Sequence, residues 1–132
     1  AQDDYLNGVV GDKVMYSTVD DLYKFHLALQ YNTFLPDTIQ REAFIPGSPT
    51  WKKGENYGFG WRWSNKHPGV RYHFGWWKGF RTYFIRDMEK DRVLIILTNT
   101  DAGISGESLW DFFNDPRAQI PAASINPALG FD

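Results

Sequence analysis

The stretch that decides the fold covers residues 70–97 and reads VRYHFGWWKGFRTYFIRDMEKDRVLIIL. From Val70 to Trp76 every second residue is apolar, and this period of two is typical of a strand. A second strand is predicted from Phe80 to Asp87, followed by a polar connection short enough for a hairpin. From Val93 to Leu97 every residue is apolar, as in an interior strand that is covered on both faces. The stretch therefore predicts three successive strands.

An earlier run of aromatic residues predicts one more strand. Between Tyr57 and Trp63 four aromatic residues alternate at period two, which would place all of them on one face. Gly58 and Gly60 would then lie on the other face, where a neighbouring element packs close to the backbone.

Helices are predicted on both sides of this β region. Residues 17–20 have the form of a capping box, and apolar residues then recur at helical spacing, so a helix is predicted over 19–30. A short second helix is predicted over 36–44, and a third begins after the N-cap Ser105 within a hydrophobic staple. Residues 116–132 contain three prolines and read as an extended tail.

Composition excludes several classes of function. The chain has 132 residues, which suits one domain, and its 14 basic and 16 acidic side chains give a net charge of −2. A mildly acidic chain without a basic block is not expected to bind nucleic acid, and no apolar run approaches the roughly 20 residues of a membrane span. The absence of cysteine excludes disulfides, thiolate zinc sites and a cysteine nucleophile. No cofactor or metal motif is present, and because the chain begins at Ala1 we expect it to derive from something longer.

Aromatic residues make up 17% of the chain, with six tryptophans, and the densest cluster runs through His73, Phe74, Gly75, Trp76 and Trp77. A histidine near a glycine on a strand lets a substrate approach the backbone while the imidazole donates or accepts a proton. The alternative interpretation is a packed aromatic strand with one satisfied histidine. A third is a sugar-stacking platform, as in a glycan-binding module.

The other polar candidates have simpler explanations. His26 falls on the first predicted helix and His67 in a turn, and both are interpreted as surface or helix-face residues. The carboxylates Asp20, Asp21, Asp87 and Asp91 occur at a helix start and in the predicted hairpin, where capping and solvation account for them.

Four blocks in order carry a family resemblance: GDKVMYSTVDDL at 11–22, NYGFGW at 56–61, YHFGWWKGF at 72–80 and IILTN at 95–99. Together they resemble the C-terminal part of the serine β-lactamase and penicillin-binding-protein superfamily, in its class C, esterase-like branch. The resemblance implies an α+β fold, in which a small antiparallel sheet flanked by helices forms part of a β-lactamase/transpeptidase-like domain. Residues 1–115 would be the C-terminal portion of that domain.

The family uses Ser-x-x-Lys for nucleophile and base, a Tyr-x-Asn or Ser-x-Asn motif, and Lys-Thr-Gly on a strand that lines the site. His73-Phe74-Gly75 matches the third motif in its His-x-Gly form. The resemblance implies that His73 orients the substrate and the proton shuttle, and that the backbone N–H of Trp76, after Gly75, supplies half of the oxyanion hole. Phe74 and Trp77 would be aromatic walls that contact the substrate.

The first two motifs are missing. No serine is followed three residues later by lysine, and Tyr5-Leu6-Asn7 lies directly before the first block, whereas the family's motif lies far upstream, so this match is interpreted as chance. The parent is expected to hydrolyse a small amide or ester through an acyl-serine, and this chain is expected to be inactive alone.

The resemblance also implies partners. The run from Val93 to Leu97 would be central in the parent and an unpaired edge here, which predicts self-association or pairing with the missing N-terminal part of the same protein. Family members are mostly exported bacterial proteins, so an extracytoplasmic parent is implied. The alternatives are an aromatic-rich binding module, for example for glycans, and a degenerate relative that keeps the fold for protein contacts.

Overall fold

The computed structural model describes residues 8–11, 15–47 and 55–118, and its five strands form one antiparallel sheet in the order β1-β2-β3-β4-β5. The elements are α1 (Val19–Gln30), α2 (Asp37–Ala43), β1 (Glu55–Tyr57), β2 (Arg62–Ser64), β3 (Val70–Trp77), β4 (Phe80–Asp87), β5 (Arg92–Thr98) and α3 (Gly106–Asn114). The predicted α+β class is confirmed. The chain divides into two compact units, residues 1–102 with the sheet, α1 and α2, and residues 103–132 with α3.

The β3–β4 hairpin confirms the two predicted strands. Trp77 lies opposite Phe80, and the two turn residues between them, Lys78 and Gly79, have φ angles of 32° and 89°. Two consecutive positive φ angles are the mark of a type I′ turn, whose twist matches that of the flanking strands. The register then holds along the full length of both strands.

The β4–β5 hairpin is closed by a buried carboxylate. Asp87, only 5% exposed, accepts hydrogen bonds from the N–H groups of Glu89 and Lys90, each at 3.1 Å, and from Arg92 Nη2 at 2.7 Å. The predicted hairpin and the capping role of Asp87 are confirmed.

The single strand predicted through the earlier aromatic run is wrong. The chain turns between β1 and β2: the N–H of Gly58 donates to the carbonyl of Trp61 at 2.8 Å, and Gly60 has a φ of 76°. A Cβ at Gly58 would collide with the backbone carbonyl of Ala43 at the end of α2. The close backbone approach is therefore confirmed, but it marks a turn and not a strand face.

The helices begin close to their predicted starts. In α1 the capping residue is Thr18 and not Ser17: its hydroxyl accepts from the N–H of Asp21 at 3.1 Å. Ser105 caps α3 as predicted, accepting from the N–H of Ser108 at 3.1 Å. Pro116–Ala118 forms a 3-10 turn and not extended chain, and the rest of the predicted tail lies outside the described residues. No helix in the ranges given above is long and apolar enough to cross a membrane.

The two faces of the sheet carry different residues. One face holds the buried side chains Val70, Tyr72, Tyr83 and Ile85. On the other face α1 and α2 pack through aromatic rings, with Phe84 against Phe25 and Trp61 against Phe44 at centroid distances of 6.2 and 5.8 Å.

The apolar strand β5 is one of the two edge strands of the described sheet, with β1 at the other edge. The expectation of an interior strand is therefore wrong for the sheet described here, and the edge position implied by the family resemblance is what is found. All seven residues of β5 are half-buried, and α1 packs against this strand. An outermost strand needs apolar residues throughout when both of its faces are partly covered.

Candidate active site

His73 lies in the middle of β3, opposite Phe84 of β4, with its side chain in contact with solvent on one side and partly covered on the other. The hydroxyl of Tyr57 is in hydrogen-bonding contact with its Nε2 atom. The two rings meet edge to face, with centroids 5.9 Å apart and planes at 89°. The sequence places Tyr57 in the aromatic run and in the block at 56–61, but it does not identify Tyr57 as a candidate site residue.

The environment of His73 favours its neutral form. Partial burial of the ring lowers its pKa, and the positive charge of Arg62 lowers it further, while a hydrogen bond with the Phe74 backbone acts in the opposite direction. The Arg62 guanidinium carbon lies 5.6 Å from the centroid of the Tyr57 ring. One cation therefore stands beside both members of the Tyr57–His73 pair.

Gly75 lies on the same face as His73, directly opposite Thr82 of β4. A Cβ at Gly75 would collide with the Thr82 hydroxyl oxygen, so only glycine lets this hydroxyl rest against the β3 backbone. Trp77 continues the same face, half-buried, with Lys78 Nζ 5.4 Å from the centroid of its ring.

The backbone N–H and C=O groups of Trp76 are directed away from β4. Hydrogen-bonded and non-hydrogen-bonded pairs alternate along an antiparallel ladder, and the N–H of Met88 donates to the carbonyl of Gly69 at 2.9 Å. Gly69 and Met88 thus form a hydrogen-bonded pair, and Trp76 lies seven positions further along β3, so Trp76 and its opposite residue Arg81 form a non-hydrogen-bonded pair. The N–H of Trp76 is thus directed to the side of β3 that faces β2.

The predicted cluster is divided between the two faces of the sheet. Phe74 lies on the face opposite His73 and packs on Tyr72 and Tyr83 at centroid distances of 5.0 and 5.1 Å. The side chain of Trp76 is on that same face, 69% exposed, with the Arg81 guanidinium carbon 4.3 Å from its centroid. The structure brings His73, Gly75 and Trp77 together and separates the side chains of Phe74 and Trp76 from them.

A second polar cluster escaped the sequence reasoning. His26 is buried, 3% exposed, and accepts a hydrogen bond at Nδ1 from Nε of Arg86 at 3.0 Å. Burial lowers the pKa of His26 to about 4, and the charge of Arg86 adds to this shift. His26 is therefore not a surface residue. The one available signal was its place on the apolar stripe of α1, between Leu22 and Leu29.

The remaining candidates match their simpler explanations. His67 closes a turn through its backbone N–H, which donates to the Ser64 carbonyl at 3.1 Å. Asp20 and Asp21 are exposed in the first turn of α1. Among the residues the structure describes, no three His, Asp or Glu side chains are grouped so that they could hold a metal ion.

Comparison with known proteins decides the family. The model of the family described as beta-lactamase matches residues 1–114. The chain belongs to the beta-lactamase family. The superfamily resemblance seen in the four sequence blocks is confirmed, and the five-stranded sheet with its helices is a partial β-lactamase-like α+β fold.

A curated relative supports this beta-lactamase assignment. The chain is 33% identical over 99 residues to "Penicillin-binding protein 4*" of Bacillus subtilis (strain 168), covering 74% of this chain and 22% of the relative. The chain thus spans about a fifth of the length of this relative. No solved structure matches this chain. Both similarities identify a relative of serine hydrolases and penicillin-binding proteins.

Proposed function

We propose that this chain forms one wall of an acyl-serine active site, with His73, Gly75 and Trp76 as its contribution. The nucleophilic serine and its lysine would come from a part of the protein outside these 132 residues. The observation that carries the proposal is the geometry of β3: imidazole and glycine share one face, and the Trp76 N–H is directed away from β4. A hydrogen-bonding side chain and a backbone donor are thus available along one strand.

Each residue has a role that its chemistry supports. When a serine attacks an amide or ester carbonyl, negative charge develops on the carbonyl oxygen, and a backbone N–H such as that of Trp76 can stabilise it. Loss of one such donor typically lowers kcat by about 100- to 1000-fold. His73, held neutral, would orient the substrate and the proton-transfer groups by hydrogen bonding. Gly75 adds no side chain of its own between His73 and Trp77, and the Thr82 hydroxyl of β4 rests against its backbone.

The face of the sheet on which an aromatic side chain lies decides whether it can form a wall of the site beside His73. We propose Trp77 as the aromatic wall, because it lies on the His73 face, whereas the ring of Phe74 belongs to the packing around Tyr72 and Tyr83. The glycan-binding alternative has less support. Trp76 is more exposed than Phe74 and Trp77, but the Arg81 guanidinium lies over its ring at 4.3 Å, where a sugar would stack.

The test compares the chain alone with the longer protein that carries it together with a Ser-x-x-Lys segment. The 132-residue chain should not turn over nitrocefin or a p-nitrophenyl ester, whereas the longer protein should turn over at least one. A β-lactam is the first choice because the Bacillus subtilis relative is named for penicillin binding. Turnover by the chain alone would contradict the proposal.

A variant pair tests the role of His73 in the longer protein. His73→Ala should lower kcat/KM strongly, and His67→Ala, a histidine in a turn, should leave it unchanged. Equal activities of the two variants would remove His73 from the site.

We propose further that the outer edge of β5 pairs with a strand from a segment outside these 132 residues. An apolar edge strand presents backbone donors and acceptors that favour pairing. Light scattering on the purified chain tests this: a dimer of twice 15.3 kDa would instead indicate a second copy as the occupant.

A further inference from the structure

We propose that Tyr57 is a positioning residue for His73: its hydroxyl donates a hydrogen bond to Nε2 and holds the imidazole in the tautomer whose proton is on Nδ1. The inference rests on the proposed function in one respect, since His73 is the group that is positioned. It concerns the state of His73 before any substrate binds.

The contact joins strands that are not neighbours in the sheet. Tyr57 is the last residue of β1 and His73 lies in β3, with β2 between them in the sheet order. The edge-to-face arrangement, at 5.9 Å and 89°, brings the phenol oxygen to the ring nitrogen while the two aromatic rings still pack. Tyr57 therefore limits both the position and the rotation of the imidazole.

The direction of the hydrogen bond follows from the second contact of the ring. A neutral imidazole carries one N–H and one accepting nitrogen. The Phe74 backbone acts to raise the pKa of His73, which is the effect of a carbonyl that favours a proton on the ring nitrogen turned away from Tyr57. Since Nε2 faces Tyr57, the donating nitrogen is Nδ1, and the Tyr57 hydroxyl must be the donor to Nε2.

The charge of Arg62 helps to keep His73 neutral, and only a neutral imidazole has two tautomers to choose between. A protonated imidazole would carry protons on both nitrogens and could not accept from Tyr57. Partial burial and the nearby Arg62 guanidinium both disfavour that protonated form and lower the pKa of His73. The ring is thus kept in the neutral state, in which the hydrogen bond made by one nitrogen decides which nitrogen bears the proton.

The consequence for the site is a pre-oriented imidazole. Because the Tyr57 phenol holds Nε2, the ring cannot flip without losing this hydrogen bond. Without Tyr57, Nε2 is released and the Nε2–H tautomer becomes accessible.

The experiment is ¹⁵N NMR of the histidine rings in the 132-residue chain, which needs no substrate. The wild type should show His73 with a protonated Nδ1 and an accepting Nε2, and Tyr57→Phe should lose that tautomer preference. Tyr31→Phe, which removes the hydroxyl of an exposed tyrosine on the end of α1, is the matched control and should leave His73 unchanged. A wild-type proton on Nε2, or an unchanged tautomer in Tyr57→Phe, overturns the proposal.

Two further measurements separate the possible causes. Arg62→Gln should raise the pKa of His73 while the tautomer stays the same, because it removes charge and not the hydrogen bond. If Tyr57→Phe does not fold, a scalar coupling between the Tyr57 hydroxyl proton and Nε2 in the wild type decides instead, and its absence overturns the proposal. Failure of the acyl-transfer assays would leave these spectra unaffected, so the two proposals fail separately.

Discussion

His26 accepts a hydrogen bond from Arg86 in the interior, between α1 and β4, with 3.0 Å between Nδ1 and Nε. Arg86 is fully buried, and its guanidinium carbon lies 5.7 Å from the centroid of the Trp61 ring. Burial lowers the pKa of Arg86 to about 10, so it stays charged at neutral pH, whereas His26 is neutral. A neutral imidazole can accept from a buried guanidinium without adding charge, whereas protonation of His26 would place two cations in contact.

This pair predicts that the fold loses stability on acidification. Between pH 6.5 and about 4 the unfolded chain binds a proton at His26 and the folded chain does not, so the unfolding free energy falls as the pH falls. The full difference corresponds to at most about 3 kcal/mol, and below pH 4 this group adds no further loss. Urea unfolding across this pH range measures the effect. His26→Leu should flatten the slope and His67→Leu should not, and equal slopes in all three proteins would contradict the prediction.

The same pair should show strong coupling in a double-mutant cycle. His26→Leu alone removes the acceptor of Arg86 Nε and leaves the buried guanidinium with the longer hydrogen bond to Gln30 Oε1 at 3.5 Å, so we expect a loss of about 1–3 kcal/mol. His26→Leu combined with Arg86→Met removes both polar partners, so the double variant should be less destabilised than the sum of the two single variants. Chemical denaturation of the four proteins gives the coupling energy. Additive effects would mean that the hydrogen bond contributes little.

Local elements could be predicted from the sequence because their signals are local. The bounds of α1 follow from its apolar stripe, and those of β4 from alternation between a turn and a polar hairpin. The break between β1 and β2 was missed because aromatic residues continue to alternate across it. What decides the turn is the carbonyl of Ala43, which blocks any side chain at Gly58 and lies on another element.

The candidate site was predictable in part for a related reason. The motif His73-Phe74-Gly75 is contiguous, so sequence alone identifies it. The partners of the two histidines are not: Tyr57 is 16 residues from His73, and Arg86 is 60 residues from His26. Such pairs depend on how strands and helices pack, which periodicity does not report. The alternation of side chains along a strand does predict that Phe74 and Trp77, three positions apart, lie on opposite faces of the sheet.

Gly75→Ala should destabilise the protein because its new methyl group meets the Thr82 hydroxyl. We expect a loss of about 1–3 kcal/mol, the usual range for overpacking. Thr82→Ala removes the obstructing atom, so the double variant Gly75→Ala/Thr82→Ala should recover part of the loss. Gly106→Ala is the control, since a Cβ there meets nothing within 4 Å. Thermal unfolding of the wild type and these four variants tests this, and the absence of any rescue would place the strain elsewhere.

Two aspartate–arginine pairs, one buried and one exposed, allow the contribution of burial to be measured directly. Asp87 pairs with Arg92 at 2.7 Å, with side chains 6% and 16% exposed, and it also caps the β4–β5 turn. Burial alone would raise the pKa of Asp87, but the hydrogen bonds from Arg92 and the turn lower it overall, so its carboxylate is stabilised in the fold.

Asp87→Ala should therefore cost about 3–5 kcal/mol, because it removes the buried carboxylate that pairs with Arg92 and accepts from two turn N–H groups. Asp87→Asn should cost less, since its amide oxygen can still accept from the turn. In the exposed pair, Asp37 and Arg41 lie one helical turn apart in α2, with side chains 47% and 77% exposed. Asp37→Ala should change the unfolding free energy far less than Asp87→Ala, since solvent screens such pairs. Equal losses for Asp87→Ala and Asp37→Ala in urea unfolding would show that neither burial nor turn capping contributes.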